Sequence, residues 1–388
     1  PRWKSVHLRH LQQRHPSGRA RMSRSLAILG LTIACADTPN KDPDGSEGQV
    51  LILAGTAELG FNGDDLPAIE TRLASPSSVY EGPDGDIIIV DFSNMRVRVI
   101  NDDGTIGTRV GNGFHAYSEE GANPLDSPLE NPIDIAWKPN GELCVLPLHE
   151  GRVVCLNETN RIERFAGTGA IADGGDGGPA LDATMGFVSG LAFAEDGTLF
   201  VSDSTHSRVR RVTPDGIIDT VLGTGQGGLG QAGFGPEMMV RFPERMVLDE
   251  AQRRLIVADT YNHRVLSLDI DTLDTTVLAG TGQSGRTGDD GPASEAQLNT
   301  PIGVALGPNG GILISDNRNF VIRHINPEGT MSTVVGTGEY EITEEETDRF
   351  NFNLKGPSGI SWTTSGDLLI AEQFGHRILK VKKMDGLL

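Results

Sequence analysis

Ala279-Gly280-Thr281-Gly282 is one of six related stretches in this chain of 388 residues. Ala54-Gly55-Thr56, Val110-Gly111-Asn112-Gly113 and Ala166-Gly167-Thr168-Gly169 precede it, with Leu222-Gly223-Thr224-Gly225 next, and Val335-Gly336-Thr337-Gly338 follows it. The central glycines 55, 111, 167, 223, 280 and 336 are separated by steps of 56, 56, 56, 57 and 56. A fixed period slightly above the usual propeller-blade length marks a repeat architecture.

Each period follows one plan. A glycine-rich loop comes first, and in three copies it carries Gly63-Asp64-Asp65-Leu66-Pro67-Ala68, Gly175-Asp176-Gly177-Gly178-Pro179-Ala180 or Gly288-Asp289-Asp290-Gly291-Pro292-Ala293. Asp ahead of Pro-Ala suits the start of a short helical turn, with the carboxylate as cap and Pro inside the first turn. A proline-led first strand follows, as in Pro132-Ile133-Asp134-Ile135 or Pro301-Ile302-Gly303-Val304. Proline at a strand's first residue removes no ladder bond. A tight turn such as Pro83-Asp84-Gly85 leads to an apolar second strand such as Ile87-Ile88-Ile89-Val90. A polar connection, a third strand, a second tight turn and a fourth strand complete the period.

The ends set the blade count. Val50–Leu53 matches a fourth strand with no first three before it, and Ile360–Trp362, Leu368–Ile370 and Arg377–Lys382 match three strands with no fourth after them. The chain is therefore expected to be all-β: a six-bladed β-propeller of four-stranded antiparallel blades over 49–388, closed by the N-terminal strand completing the last blade. Such closure leaves no open ring edge.

The glycine loops, the Pro-x-Gly-Val strand and Asp259-Thr260-Tyr261-Asn262-His263-Arg264 together resemble NHL repeats, in style closest to the long-repeat NHL proteins exported by bacteria. The resemblance covers the whole chain after its N-terminal tether. It implies the propeller, and it leaves activity open, because NHL propellers include binding scaffolds, RNA binders and an amidating lyase.

Composition narrows the partners. Seven of the 33 basic residues lie within the first 35, which hold no Asp or Glu, so the remainder sets 26 basic residues against 53 acidic ones. That surface repels phosphate backbones, so no nucleic-acid partner is expected.

Residues 1–21 read as an upstream, non-structural segment. Residues 22–35 read as a signal peptide: Arg24 precedes the short apolar run Leu26–Leu31, too short to span a bilayer. Leu31-Thr32-Ile33-Ala34-Cys35 resembles a lipobox, with Cys35 as the lipidated residue; an ordinary cleaved signal is the other reading. Residues 36–48 form a flexible tether of Asp, Asn, Pro, Lys, Gly and Ser. The expectation is an exported protein, periplasmic or anchored at the outer membrane, a monomer touching the membrane only through that lipid anchor. Cys144 and Cys155 fall on consecutive strands of one hairpin at offsets that face each other, either as a disulfide or as two small core residues.

Loops before first strands and loops between second and third strands share one face, which makes that long-loop face the working face. It carries the sets Asp91/Asn94/Arg96, Asp203/Arg208, Asp259/Asn262/Arg264, Asp316/Asn319 and Glu372/Arg377. Repetition in successive blades favours a turn-holding duty over a catalytic one. Departures from the repeat are the ligand-binding candidates. Where the NHL pattern has Gly near the channel mouth, this chain has Ser78, Asp134 and Arg245, with Glu244 alongside. These orient a polar ligand or pair with one another, and Asp134 doubles as a candidate metal ligand.

His149, His206, His263 and His376 lie in the connections of four blades and do not share one slot, which argues against a zinc centre built from them. The resemblance adds that the amidating lyase holds metal histidines close to its channel; the first strands here begin without any. No cofactor is expected, and calcium in the Gly-Asp loops is the alternative. The function expected is a rigid binding scaffold for a protein or polysaccharide partner at the cell envelope. The alternative is a lyase or hydrolase working in the channel with a divalent cation.

Overall fold

The structure is a computed structural model, and it describes residues 47–384 apart from 308 and 344. The upstream segment, the signal peptide with Cys35 and the tether as far as 46 lie outside the described residues. Six antiparallel sheets are built in chain order, each running from an inner first strand to an outer fourth. Blade one comprises Ser78–Glu81, Ile87–Asp91, Arg96–Ile100 and Thr105–Val110. The sixth blade pairs Pro357–Trp362, Leu368–Glu372 and Arg377–Val381, and on its outer side Gln49–Ala54 lies antiparallel to Arg377–Val381, with Val50 opposite Val381 and Ile52 opposite Leu379.

Four blades gain a two-residue fifth strand beyond the expected four: Leu66–Pro67, Gly178–Pro179, Gly233–Phe234 and Thr347–Asp348 each pair with a fourth strand. In blade five an isolated bridge between Pro292 and Thr330 plays the same part. The long loop thus runs outward, hydrogen-bonds the blade's outer edge, then returns to the axis to begin the first strand.

The glycine motif turns the chain at the start of that excursion. Gly280 has φ +92°, and a Cβ there would stand 2.3 Å from the His263 carbonyl oxygen. Its N–H donates to Ala293 O and that of Thr281 to Ala296 O, tying the hinge to the 3-10 turn Ala293–Glu295. Gly55 and Thr56 repeat both bonds on Ala68 and Thr71.

The capping expectation fails. The turns Ala68–Glu70, Ala180–Asp182 and Ala293–Glu295 have proline at the cap position and no side-chain cap bond. The first aspartate of each Gly-Asp loop is used elsewhere, as described below.

Apolar contacts fill the spaces between neighbouring blades, as where Ile133, Leu146 and Val153 of blade two meet Val188, Leu191 and Val201 of blade three. Cys144 and Cys155 lie opposite each other in register, both buried, and their sulfurs are bonded.

Deleting residues 47–54 strips the outer strand from the sixth blade. The expected cost is roughly 5 kcal/mol, from burial of Val50 and Ala54 together with the lost ladder bonds. Urea denaturation reads it, and an unchanged midpoint would contradict the pairing's structural weight.

Candidate functional site

The four channel residues singled out in the sequence are brought together. Tyr80 Oη and Ser78 Oγ donate to Asp134 Oδ1 at 2.7 and 2.9 Å, and the Leu191 N–H donates to Oδ2 at 3.3 Å. Arg245 reaches across the axis from blade four. Its Nε donates to Ser78 Oγ at 2.9 Å and its Nη2 to the carbonyls of Ser77 and Ile133 at 2.8 and 3.0 Å. Asp134 Oδ1 lies 3.9 Å from Arg245 Nε. Ser78, Asp134 and Arg245 are all buried.

The set is a cross-channel plug in which the donors are matched to acceptors inside the protein. A metal on Asp134 would have to displace two hydroxyls and an amide that already donate to its oxygens. Blades three, five and six keep glycine at the equivalent position because the next first strand approaches closely: a Cβ on Gly303 would stand 2.2 Å from Ser358 O.

Burial raises the Asp134 carboxyl, opposed by the Arg245 charge and by the hydrogen bonds from Tyr80, Ser78 and Leu191. Tyr80 is raised well above its ordinary value by burial and then by Asp134, so it holds its proton and donates. Glu244 Oε2 stands 3.9 Å from Arg245 Nη1, and its side chain is 15% exposed. Burial pushes its carboxyl up to about 7 against the pull of Arg245.

Beyond the plug the channel widens towards the tight-turn face into a cavity of about 390 Å³. Tyr80, Trp137, Phe193, Leu248, Leu306 and Trp362, from the far ends of the first strands, contribute to its wall. The sequence analysis did not single out this funnel. Its signal is one repeat position that is aromatic or leucine in five blades (137, 193, 248, 306 and 362).

On the long-loop face the acids and bases hold loops. Asp91 Oδ1 accepts from the Ala74 N–H at 2.7 Å and its Oδ2 from Asn94 at 2.8 Å; Asp259 and Asp316 repeat both contacts with their own neighbours. Arg96 is not the partner of Asp91. It donates to the carbonyls of Asn94 and Asn112, and the fully buried Arg98 stands 3.5 Å from Asp91. The aspartates of the Gly-Asp loops close these buried guanidiniums. Asp64 meets Arg98 at 2.8 Å, Asp176 meets Arg210 at 2.6 Å, and Asp289 meets Arg323 at 2.7 Å. Thr108, Thr220 and Thr333 donate to the same three carboxylates.

The histidines divide by duty. His263 Nδ1 and His376 Nδ1 accept from the N–H groups of Thr300 and Ser75, while His206 faces Asp203 and His149 faces Glu130. Burial lowers the pKa of both His263 and His376, in keeping with neutral acceptors.

Closed blades, matched inner charges and loops tied to strands define a six-bladed β-propeller. The Teneurin NHL domain family matches residues 239–355. NHL repeat-containing protein 2 of Homo sapiens is 27% identical over 328 residues, 74% of this chain and 44% of that protein. Protein SUPPRESSOR OF QUENCHING 1, chloroplastic, of Arabidopsis thaliana is 26% identical over 248 residues, 61% of this chain and 22% of that protein. An auxiliary nutrient binding protein from Bacteroides thetaiotaomicron superposes with a TM-score of 0.64 at 14% identity, over 86% of this chain and 76% of that one, a likeness of fold alone. These matches and the six closed blades support an NHL-repeat β-propeller. It spans less than half the length of the first of the curated relatives it matches.

The raised Glu244 carboxyl has a signed consequence. Its protonated form is the one the fold favours, so its contribution is fully present below about pH 4.5 and is lost as pH rises through about 7. Glu244→Gln is expected to match the parent near pH 4 and to exceed it by roughly 2–3 kcal/mol near pH 8. Thermal melts across that range check this; parallel pH profiles for the two proteins would contradict it.

Proposed function

We propose that this propeller is a rigid binding scaffold that engages a protein or polysaccharide partner through its long-loop face at the cell envelope. The observation that carries the reading is a set of solvent-facing apolar side chains in the loops between blades. Leu59, Phe61, Phe114, Tyr117, Leu229 and Tyr340 are between 40% and 72% exposed. They come from the loops leading into four different blades, and strand direction places those loops at one end of the sheets. Aromatic side chains presented on such loops are the kind that dominate binding energetics once a partner buries them.

The geometry suits recognition. Arg96 lies over the Phe61 ring at 3.8 Å and Lys355 over the Tyr340 ring at 5.0 Å, which fixes the rings while leaving them open to solvent. Loops already held by buried ion pairs lose little entropy on binding. The acidic balance argues for a neutral or basic partner and against nucleic acid. The nutrient-binding relative shares the fold, and its described role is compatible with a scaffold of this kind. Export and a Cys35 lipid anchor rest on residues 22–35, and the Cys144–Cys155 bond fits an oxidising compartment. The channel-centred lyase or hydrolase is disfavoured, because the Asp134 oxygens already accept from Ser78, Tyr80 and Leu191.

The test uses the full chain immobilised against envelope extract and a polysaccharide array, beside a Phe61→Ser/Phe114→Ser/Tyr340→Ser variant with the same melting temperature. The parent is expected to retain a defined partner, and the variant to bind it at least about tenfold more weakly. A partner held equally by both proteins would overturn the assignment to this face.

A further inference from the structure

His115 lies in the loop leading into blade two, Glu130 at the end of that loop, and His149 in the connection after the second strand Leu143–Pro147. Their ligand atoms converge within 4.8 Å of one another. His115 Nε2 stands 2.9 Å and His149 Nδ1 3.2 Å from the same oxygen, Glu130 Oε1. The carboxylate is buried, while the His115 and His149 side chains keep 52% and 34% of their surface open. A further oxygen, Asn131 Oδ1, lies 2.7 Å from His115 Nε2, and the Asn131 amide nitrogen donates to Phe92 O at 3.3 Å, which turns that oxygen inward. The His149 ring packs edge-on against Phe187 with centroids 4.7 Å apart, which restrains its orientation.

Comparison with the other blades shows that this is not the repeat's own hardware. In five blades the residue two before the first strand's leading position donates its N–H to the carboxylate that ends the second strand. Ala74 bonds Asp91, Gly186 bonds Asp203, Arg241 bonds Asp259, Asn299 bonds Asp316 and Lys355 bonds Glu372, at 2.7 to 3.0 Å. In blade two the second strand ends in Pro147, which has no carboxylate, and Glu130 itself occupies the donating position. The carboxylate has moved across the gap, and the groups facing it are imidazoles rather than a backbone N–H.

We infer that His115, Glu130 and His149 form a binding site for a divalent transition metal of the zinc class, with a fourth position open to water or an exogenous anionic donor. Two imidazole nitrogens and one carboxylate oxygen are a zinc donor set, and three protein ligands leave a tetrahedral site one position short. Imidazole also selects against calcium and magnesium, which take oxygen ligands. Bonds of about 2.0–2.1 Å in a tetrahedron set ligand atoms roughly 3.3 Å apart, so the cluster needs to tighten only modestly, and the open His115 side chain can swing to do it. The Phe187 contact restrains the His149 ring, and His115 Nε2 gives up its contact with Asn131 Oδ1 when its lone pair turns to the metal. This site stands on blade-two geometry alone and does not depend on the partner-binding reading.

The deciding experiment titrates the chelator-stripped full chain with Zn²⁺ by calorimetry and with Co²⁺ by visible absorption. One saturable equivalent is expected, with Co²⁺ giving the bands of a four-coordinate site and with no competition from excess Ca²⁺ or Mg²⁺. His115→Ala, at a half-open position where the fold is not at stake, is expected to weaken Zn²⁺ at least about tenfold with an unchanged melting temperature. Glu130→Gln is expected to do the same, and His206→Ala in blade three to leave binding intact. Absence of saturable binding, or Zn²⁺ binding that survives His115→Ala undiminished, overturns the inference.

Discussion

In every blade a buried or nearly buried arginine ties the wandering long loop to the strands, and the rest of the structure depends on those ties. Two geometries alternate. In blades one, three and five the guanidinium sits on the third strand as Arg98, Arg210 or Arg323 and is met by the loop carboxylate Asp64, Asp176 or Asp289. In blades two, four and six the arginine stands at or just before the start of that strand, as Arg152, Arg264 or Arg377. There it pairs with Glu150, Asp259 or Glu372 and donates to a loop carbonyl, of Ser118, Gly230 or Thr343. A buried charge without its partner costs several kcal/mol, so each loop has one low-energy placement. That converts six long loops into a fixed face.

The same logic runs through the channel, where the asymmetry lies. Arg245 enters from blade four and is received by carbonyls and a hydroxyl from blades one and two. Its charge offsets that of Asp134, and the pair closes the axis between the long-loop face and the apolar funnel. Burial also raises Asp91 and Asp316 to about 6, countered by their N–H and amide donors and by Arg98 and Arg323. These carboxylates are ionised at neutral pH at some expense, which the loop contacts offset.

The architecture was legible in the sequence because it is periodic. A step of 56 residues, proline at strand starts, and one orphan strand at the N-terminal end matched by three strands lacking a fourth at the C-terminal end sufficed for six blades. The Gly-Asp loops were less legible. Asp ahead of Pro-Ala has the local look of a helix cap, yet the carboxylate's partner lies 34 residues on, on a strand that local reasoning cannot bring near. His115 carried no signal of its own, since its partners Glu130 and His149 reach it only through blade-two folding. Glu130 did leave a trace: Pro147 stands where the other blades have an acid, and a missing acid is legible once the repeats are aligned. The channel residues Ser78, Asp134 and Arg245 stood out as breaks in the glycine pattern, with Glu244 alongside. Sequence could not decide between ligand and plug, because that turns on whether Arg245 spans the axis.

Amide hydrogen exchange in an Asp64→Ala variant tests most directly whether these ion pairs hold the working face. Asp64 belongs to the loop side of its clamp, so its loss leaves the strands and the Arg98–Asp91 contact in place. The amides of the loop from Thr56 to Asp65 are expected to exchange at least about tenfold faster, while Ile87–Asp91 keeps its protection. Loop amides as protected as in the parent would contradict the account, because the face would then be held by something other than its buried arginines.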